Sequence, residues 1–205
     1  MGGTVMKRQT SRKKKRRRIS PNRPDPKRSR PTFPERTDEQ VIRDALPSDA
    51  AGVARVNVAS WRQAYPGLID QAFLDSLDVE GRTEIWNRIL RQTRGRVLVV
   101  EDDGVVDGFC AVGPSIEEDW GEVYAIYLDP EHWGKGVGRD LLAAGEKALF
   151  DDGYWHALLW VLDGNTRARA FYERQGWALG KPIRIENIGG ADVNEVRYEK
   201  SLGPA

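Results

Sequence analysis

The sequence predicts an α+β fold (mixed α/β) in which helices flank one central, mostly antiparallel twisted sheet of six to seven strands. The order of elements supports this: a strand, two or three helices, three antiparallel strands, a helix, a strand, a helix and closing strands. A hairpin signal, Asp103-Gly104, separates two apolar runs. Strands and helices do not alternate regularly, which excludes a doubly wound dinucleotide-binding fold.

Apolar runs bounded by turn residues define the strands, and apolar periodicity with caps defines the helices. The predicted strands cover residues 41–45, 97–101, 105–112, 121–128, 155–162, 177–185 and 195–201. The first helix begins at an N-cap, Ser48 or Asp49, and carries Trp61 and Tyr65 to the break at Pro66-Gly67. The remaining predicted helices cover about 70–77, 79–93, 136–150 and 166–175, and Gly176 is the predicted C-terminal cap of the last.

Charge divides the chain into a basic tail, residues 1–39, and a domain, residues 40–205. Residues 1–36 hold fourteen Lys or Arg against two acids, a balance of +12 that leaves −11 for residues 37–205 of a chain whose total is +1. The tail has few apolar residues and is predicted to be disordered. Residues 7–36 would attract RNA, DNA, the ribosome or an anionic membrane. The alternatives are a solvated tail, a true start at Met6, or a tail folded onto its own acidic domain.

Composition also limits the chemistry. A single cysteine, Cys110, excludes an internal disulfide and a cysteine-rich metal site, and the two histidines lack ligand partners at suitable spacing. No metal is therefore expected. No stretch approaches the ~20 apolar residues of a membrane span, and the basic N-terminus has no apolar run after it. The expected location is the cytoplasm.

The clearest chemical signal is a glycine-rich loop between a strand and a helix. Residues 122–128 run into Asp129-Pro130, which ends the strand, and Gly134, Gly136 and Gly138 precede an amphipathic helix. Such a loop lets backbone N–H groups and a helix N-terminus converge on a phosphate. The spacing fits neither the Walker loop nor the dinucleotide fingerprint, and a tight structural connection is the alternative.

Three segments resemble the GNAT superfamily of N-acetyltransferases. Residues 129–142 (DPEHWGKGVGRDLL) resemble its acetyl-CoA loop, Gln/Arg-x-x-Gly-x-Gly/Ala, and residues 165–177 (NTRARAFYERQGW) its Asn…Phe-Tyr-x-x-x-Gly-Phe block. Residues 60–68 (SWRQAYPGL) resemble the acceptor-side region of many bacterial members. The resemblance covers roughly residues 41–201. It departs from the motif at Trp133, where the family usually has Gln or Arg.

The resemblance implies an acetyl-CoA site whose contacts come largely from the backbone. Strand residues would pair with the pantetheine arm, the loop would hold the pyrophosphate, and Asn165 would lie near the thiol end. The implied cofactor-binding residues are Ile126, Tyr127, Leu128, Gly134, Lys135, Gly136, Val137, Gly138, Arg139 and Asn165.

The resemblance also implies the catalytic residues. Tyr172 would be the general acid for the departing thiolate, since a thiol has a pKa of ~8.5. Glu122 is the candidate base for the acceptor amine; the alternative is an exposed edge carboxylate. Some members carry a glutamate five positions before the Asn, where this chain has Trp160. Trp61 and Tyr65 are candidate acceptor contacts, although aromatic residues at helical spacing are often core.

The predicted function is direct acetyl transfer from acetyl-CoA to a primary amine of a small molecule, a peptide N-terminus or a lysine. The acidic domain mildly favours a cationic acceptor. The alternative is a non-catalytic acetyl-CoA-binding domain tethered to nucleic acid or the ribosome by its basic tail. A homodimer is common among similar proteins, and the sequence leaves the oligomeric state open.

Overall fold

A computed structural model describes residues 40–92 and 94–203. The predicted tail, residues 1–39, and its nucleic-acid or ribosome contacts lie outside the described residues. So do Thr93, the predicted end of a helix, and residues 204 and 205. Among the described residues, no helix is both long and apolar enough to span a membrane.

The described residues build a seven-stranded sheet, as predicted. Its strands, numbered in chain order, are β1 (Val41–Asp44), β2 (Arg96–Asp102), β3 (Val105–Pro114), β4 (Trp120–Leu128), β5 (His156–Leu162), β6 (Ala178–Ile188) and β7 (Ala191–Ser201). Their spatial order is β1-β2-β3-β4-β5-β7-β6. Every neighbouring pair is antiparallel except β4 and β5, which are parallel. The fold class predicted from the sequence is confirmed.

Helices cover both faces of the sheet. They are α1 (Ala50–Ala64), α2 (Gln71–Ser76), α3 (Val79–Gln92), α4 (Val137–Asp151) and α5 (Thr166–Arg174). On one face, Val53 and Val56 of α1 and Trp86 of α3 pack in one apolar cluster with the sheet residues Val99 and Phe109. On the other face, α4 and α5 share an apolar cluster with β2–β5 and β7.

The start of α1 differs from the prediction in its chemistry. Residues Pro47–Asp49 form a 3-10 turn, and Asp49 occupies the N-cap position of α1 without capping it through its side chain. Its carboxylate instead accepts a hydrogen bond from the backbone of Leu46 at 2.7 Å and pairs with Arg43 at 2.7 Å. The nearby guanidinium of Arg43 lowers the pKa of Asp49. An ion pair across the β1–α1 connection therefore replaces the predicted cap.

The last two strands form a longer hairpin than the sequence indicates. β7 begins at Ala191 rather than at residue 195, and Gly189 and Gly190 form the turn with φ of 64° and 86°. Most of β6 is exposed, so it lacks the buried alternation by which a strand is recognised. Its ladder with β7 holds it in place.

The parallel pair β4 and β5 separates part-way along its length. Pairing runs from Trp120↔His156 to Val123↔Leu159 and ends there. On the other side of β4, the register with β3 shifts so that Tyr124 is an extra residue, a β-bulge. A bulge bends and twists its strand. Within the described sheet, residues 125–128 pair with β3 but have no ladder partner on the β5 side.

Candidate functional site

A cleft of about 540 Å³ lies where β4 and β5 separate. Its walls come from α1, β4, the glycine loop, β5, α5 and the β6–β7 hairpin. Of the residues predicted from the sequence, the cleft is lined by Trp61, Tyr65, Glu122, Ile126, Tyr127, Leu128, Gly134, Gly136, Gly138, Arg139, Asn165 and Tyr172. The structure thus brings together residues that lie more than a hundred positions apart in the chain.

The end of β4 is anchored from two sides. The carbonyl oxygen of Leu128 accepts a hydrogen bond from the Ser60 hydroxyl at 2.6 Å and another from the indole N–H of Trp133 at 3.0 Å. Ser60 belongs to α1, and Trp133 precedes the glycine loop. These bonds fix the position of the loop and of α1 relative to the strand edge that faces the cleft.

The glycine loop has the backbone that the sequence indicates. Gly134 and Gly136 have φ of 79° and 90°, a region that strongly favours glycine. A Cβ added to Gly138 would lie 2.9 Å from a methyl group of Leu128, so α4 packs closely against the strand end. The loop therefore places the first N–H groups of α4 and its positive dipole end at the cleft.

The three side chains of this loop have different surroundings. Val137 is buried in the core beneath α4, so only its backbone faces outward. Lys135 is exposed and does not line the cleft. Arg139 lines the cleft and pairs with Asp140 at 2.9 Å.

Tyr172 lies on α5 at the bottom of the cleft. Its ring packs beside Phe171, Trp177 and Tyr198 with centroids 5.3–6.4 Å away. Burial raises the pKa of Tyr172 far above the ordinary value of a phenol, and Tyr127 and Cys110 add to the shift. The hydroxyl therefore stays protonated at neutral pH and is chemically able to donate a hydrogen bond or a proton.

Asn165 begins the same helix. Its side-chain oxygen accepts a hydrogen bond from the backbone N–H of Ala168 at 3.1 Å, as an N-cap does. Asn165 also lines the cleft. The residue therefore fixes the start of α5, and with it the approach of Tyr172 to the cleft.

Glu122 is not an exposed edge residue. It lies between β3 and β5 in the sheet, is half-buried and lines the cleft. Burial raises the pKa of Glu122, the charge of Arg184 and a hydrogen bond with Ser115 oppose the rise, and Glu117 and Glu195 add to it. A carboxylate with a raised pKa is a stronger base than an ordinary one, as a proton acceptor requires.

Trp61 and Tyr65 form part of an aromatic wall with Tyr127. The hydroxyl oxygens of Tyr65 and Tyr127 are 3.1 Å apart, and the Trp61 ring lies edge-on to Tyr65 with centroids 5.2 Å apart. The indole nitrogen of Trp61 is buried and has no geometrically acceptable partner within the described residues. These aromatic residues are both packed and cleft-facing, so the two sequence alternatives are not exclusive.

The part of the chain that resembles known proteins contains most of the residues that line the cleft. The family model of the GNAT acetyltransferases matches residues 58–177, which include α1 from Val58 onward, the glycine loop and α5. The chain belongs to the GNAT acetyltransferase family. As a member it is classed as an acyltransferase, and the sequence resemblance is confirmed.

Relatives and solved structures agree with this GNAT assignment. The chain is 35% identical over 128 residues to the uncharacterized N-acetyltransferase YuaI of Bacillus subtilis, covering 61% of this chain and 73% of that protein. It is 26% identical to a spermidine N(1)-acetyltransferase of Thermoplasma acidophilum, covering 77% and 97% of the two chains. It also resembles the solved PaiA N-acetyltransferase of Thermoplasma acidophilum in complex with coenzyme A: TM-score 0.60, 23% identity, 80% and 99% coverage.

One part of this GNAT site was missed by sequence reasoning. Arg184 of β6 pairs with Glu195 of β7 at 2.7 Å, and its guanidinium carbon lies 4.5 Å from the centre of the Trp160 ring. All three line the cleft. Arg184 and Glu195 are cross-strand partners in a hairpin whose register the sequence does not reveal. Trp160 occupies the position at which some family members have a glutamate. The carboxylates that line the cleft are therefore those of Glu122 and Glu195.

Metal chemistry has no evident site in the described part of this GNAT domain. Within residues 40–92 and 94–203, no group of three or more His, Cys, Asp or Glu lies close enough to hold a metal ion.

Cys110 is fully buried, and burial raises the pKa of its thiol to about 12. It is therefore packed as a small core residue whose thiol stays protonated at neutral pH.

Proposed function

We propose that the cleft binds acetyl-CoA and transfers its acetyl group directly to a primary amine. The observation that carries the proposal is the gap between β4 and β5. It is bordered by the glycine loop and by the edge of β4 whose backbone groups have no partner on β5. A pantetheine arm needs backbone partners, and a pyrophosphate needs convergent N–H groups. Both are available at adjoining walls of one cleft. The coenzyme A complex of the Thermoplasma protein of the same fold supports this cofactor.

The residues present fit this substrate. The backbone of Ile126, Tyr127 and Leu128 would pair with the pantetheine arm. The backbone of residues 134–139 would hold the pyrophosphate, with Lys135 and Arg139 adding positive charge at its rim. Asn165 would hold the start of α5 near the thioester.

The reaction then removes two protons from the acceptor nitrogen and delivers one proton to the leaving sulfur. Glu122 takes a proton from the ammonium form of the acceptor, directly or through water, because an amine with a pKa of ~10.4 arrives mostly protonated. The free amine nitrogen bonds to the thioester carbon, and backbone N–H groups of β4 stabilise the oxyanion. The carbon–sulfur bond breaks, and the second nitrogen proton passes to solvent as the amide forms.

Tyr172 acts on the leaving sulfur. Its hydroxyl donates a hydrogen bond as negative charge develops there, and its proton completes the free thiol. Since burial raises the pKa of Tyr172 well above the ~8.5 of a thiol, the tyrosinate is short-lived and takes a proton back from solvent. No covalent enzyme intermediate is needed.

The acceptor is proposed to be a cationic primary amine of a small molecule, a peptide N-terminus or a lysine. Two carboxylates, Glu122 and Glu195, and the aromatic wall line the cleft, and residues 37–205 carry a balance of −11. A relative that is named for spermidine acetylation supports an amine of this kind. The cytoplasmic location stays a prediction.

The first experiment is thermal unfolding of the full chain with and without acetyl-CoA. Binding at ~100 times the dissociation constant adds about 2.7 kcal/mol to the free energy of unfolding and raises the midpoint. A panel of amines is then tested for acetyl-CoA-dependent release of free thiol. An unchanged midpoint in a folded sample would contradict the proposal. A raised midpoint without thiol release for any amine would favour the non-catalytic alternative.

A further inference from the structure

Trp133 stands where the family motif has Gln or Arg, and a different arginine lies against it. The guanidinium carbon of Arg167, the second residue of α5, lies 3.7 Å from the centre of the Trp133 ring. The indole N–H of Trp133 is itself fixed by its hydrogen bond to the carbonyl of Leu128. A planar guanidinium stacks well on an aromatic face, so Trp133 is a rigid platform for Arg167.

We propose that Arg167 makes a direct guanidinium contact to the pyrophosphate of acetyl-CoA, beside the rim charges of Lys135 and Arg139, and that Trp133 positions it. The charge that the motif would place at position 133 thus comes from α5. The inference rests on the proposed function, since it assigns a residue to the same cofactor. Arg167 would also join α5, which carries Tyr172, to the loop that holds the cofactor.

Among the described residues, the absence of an ion pair distinguishes Arg167 from Arg139 and Arg169. No ion pair within residues 40–92 and 94–203 involves Arg167, and its side chain is exposed to the cleft. Arg139 pairs with Asp140. Arg169, two positions further along α5, is held by Asp163 and by the Tyr198 hydroxyl. Arg167 is therefore a guanidinium with its donors available for a phosphate, and a guanidinium binds phosphate in a bidentate manner.

The position of Arg167 within its helix also favours contact with a phosphate. Arg167 lies in the first turn of α5, where backbone N–H groups create positive potential. The start of α4, which also lines the cleft, contributes the same potential. A dianionic pyrophosphate between Trp133 and Gly136 would meet both helix ends, and Arg167 supplies the side-chain charge between them.

The test is calorimetric binding of coenzyme A and of dephospho-coenzyme A, which lacks the 3′-phosphate. Four proteins are compared: the natural chain, Arg167→Ala, the control Arg91→Ala, and the double variant Trp133→Arg/Arg167→Ala. Arg91 lies on α3, is exposed, bonds Asn87 and does not line the cleft, so its removal changes the net charge equally. Arg167→Ala should weaken both ligands by about tenfold, the loss of one charge-assisted hydrogen-bonded contact.

Three further results are expected. Arg91→Ala should bind like the natural chain, the difference caused by Arg167→Ala should shrink at high salt, and Trp133→Arg/Arg167→Ala should regain affinity by returning a guanidinium to the motif position. Unchanged affinity of Arg167→Ala, a loss confined to coenzyme A, or a loss that salt does not affect would each overturn the inference. Failure of the natural chain to bind coenzyme A would instead overturn the proposed function, so the two failures are distinguishable.

Discussion

The hydroxyl oxygens of Tyr65 and Tyr127 lie 3.1 Å apart and join the end of α1 to β4. Burial raises the pKa of both phenols, so both hydroxyls remain protonated and one donates to the other. Tyr127 also packs against Phe109 with ring centroids 5.6 Å apart. This pair therefore fixes one wall of the cleft at the point where β4 loses its partner β5.

Removing one hydroxyl of this pair should cost stability. In Tyr65→Phe, the buried hydroxyl of Tyr127 loses its partner, which lowers the free energy of unfolding by about 1–3 kcal/mol. The double variant Tyr65→Phe/Tyr127→Phe should lose less than the sum of the single variants, because it leaves no unpaired hydroxyl. Urea unfolding of the four proteins measures the coupling. Additive losses would show that the hydroxyls do not interact.

The sequence predicted the elements of the site better than their relationships. Asn165 and Tyr172 belong to one short motif and the three loop glycines to another, so each set is recognised from nearby positions in the chain, and the structure has both sets on one cleft. The pairing of Tyr65 with Tyr127 depends on how α1 lies against β4. No local pattern encodes that arrangement, so tertiary packing decides it.

The β6–β7 hairpin illustrates the same limit. Arg184, Glu195 and Trp160 meet through strand register, which depends on the Gly189-Gly190 turn and on a bulge near Leu179. Because most of β6 is exposed, its sequence shows no hydrophobic period from which to read that register. Likewise, the sequence predicts a cap of α1 from Ser48 or Asp49. Asp49 occupies the N-cap position, but its carboxylate pairs with Arg43 of β1 instead of capping the helix.

Tyr172→Phe should slow turnover without weakening the binding of acetyl-CoA. The variant keeps the ring that packs against Trp177 and loses the donor to the leaving sulfur, so kcat should fall by about 10²–10⁴-fold. The dissociation constant for acetyl-CoA should be unchanged. Steady-state thiol release and calorimetry measure the two quantities. A large loss of affinity would mean that the hydroxyl serves mainly in cofactor binding.

The pH dependence of turnover should report Glu122. Because burial raises its pKa, the basic carboxylate is present above that pKa and is lost as pH falls through it. The acid limb of kcat should therefore lie at higher pH than for an ordinary glutamate. Tyr172, with its pKa raised, stays protonated beyond pH ~10 and adds no alkaline limb below that value.

Glu122→Gln should lower kcat by about a hundredfold and abolish this acid limb. The amide keeps the size of the side chain and cannot accept the amine proton. An Asp192→Asn variant is the control, because Asp192 is an exposed residue at the start of β7 and does not line the cleft. An acid limb that persists unchanged in Glu122→Gln would assign the base to another group, such as Glu195.

Gly136→Ala should weaken cofactor binding through the backbone of the glycine loop. Gly136 has φ of 90°, where an L-residue is strained by roughly 1–2 kcal/mol, and relief of that strain moves the N–H groups of the loop. Gly104→Ala is a matched control, since Gly104 has φ of 76° in the β2–β3 turn, and no atom lies within 4 Å of an added Cβ. Both variants should lose similar stability in urea, but only Gly136→Ala should bind acetyl-CoA about tenfold more weakly. Equal affinity of the two variants would show that this backbone conformation is a requirement of the fold alone.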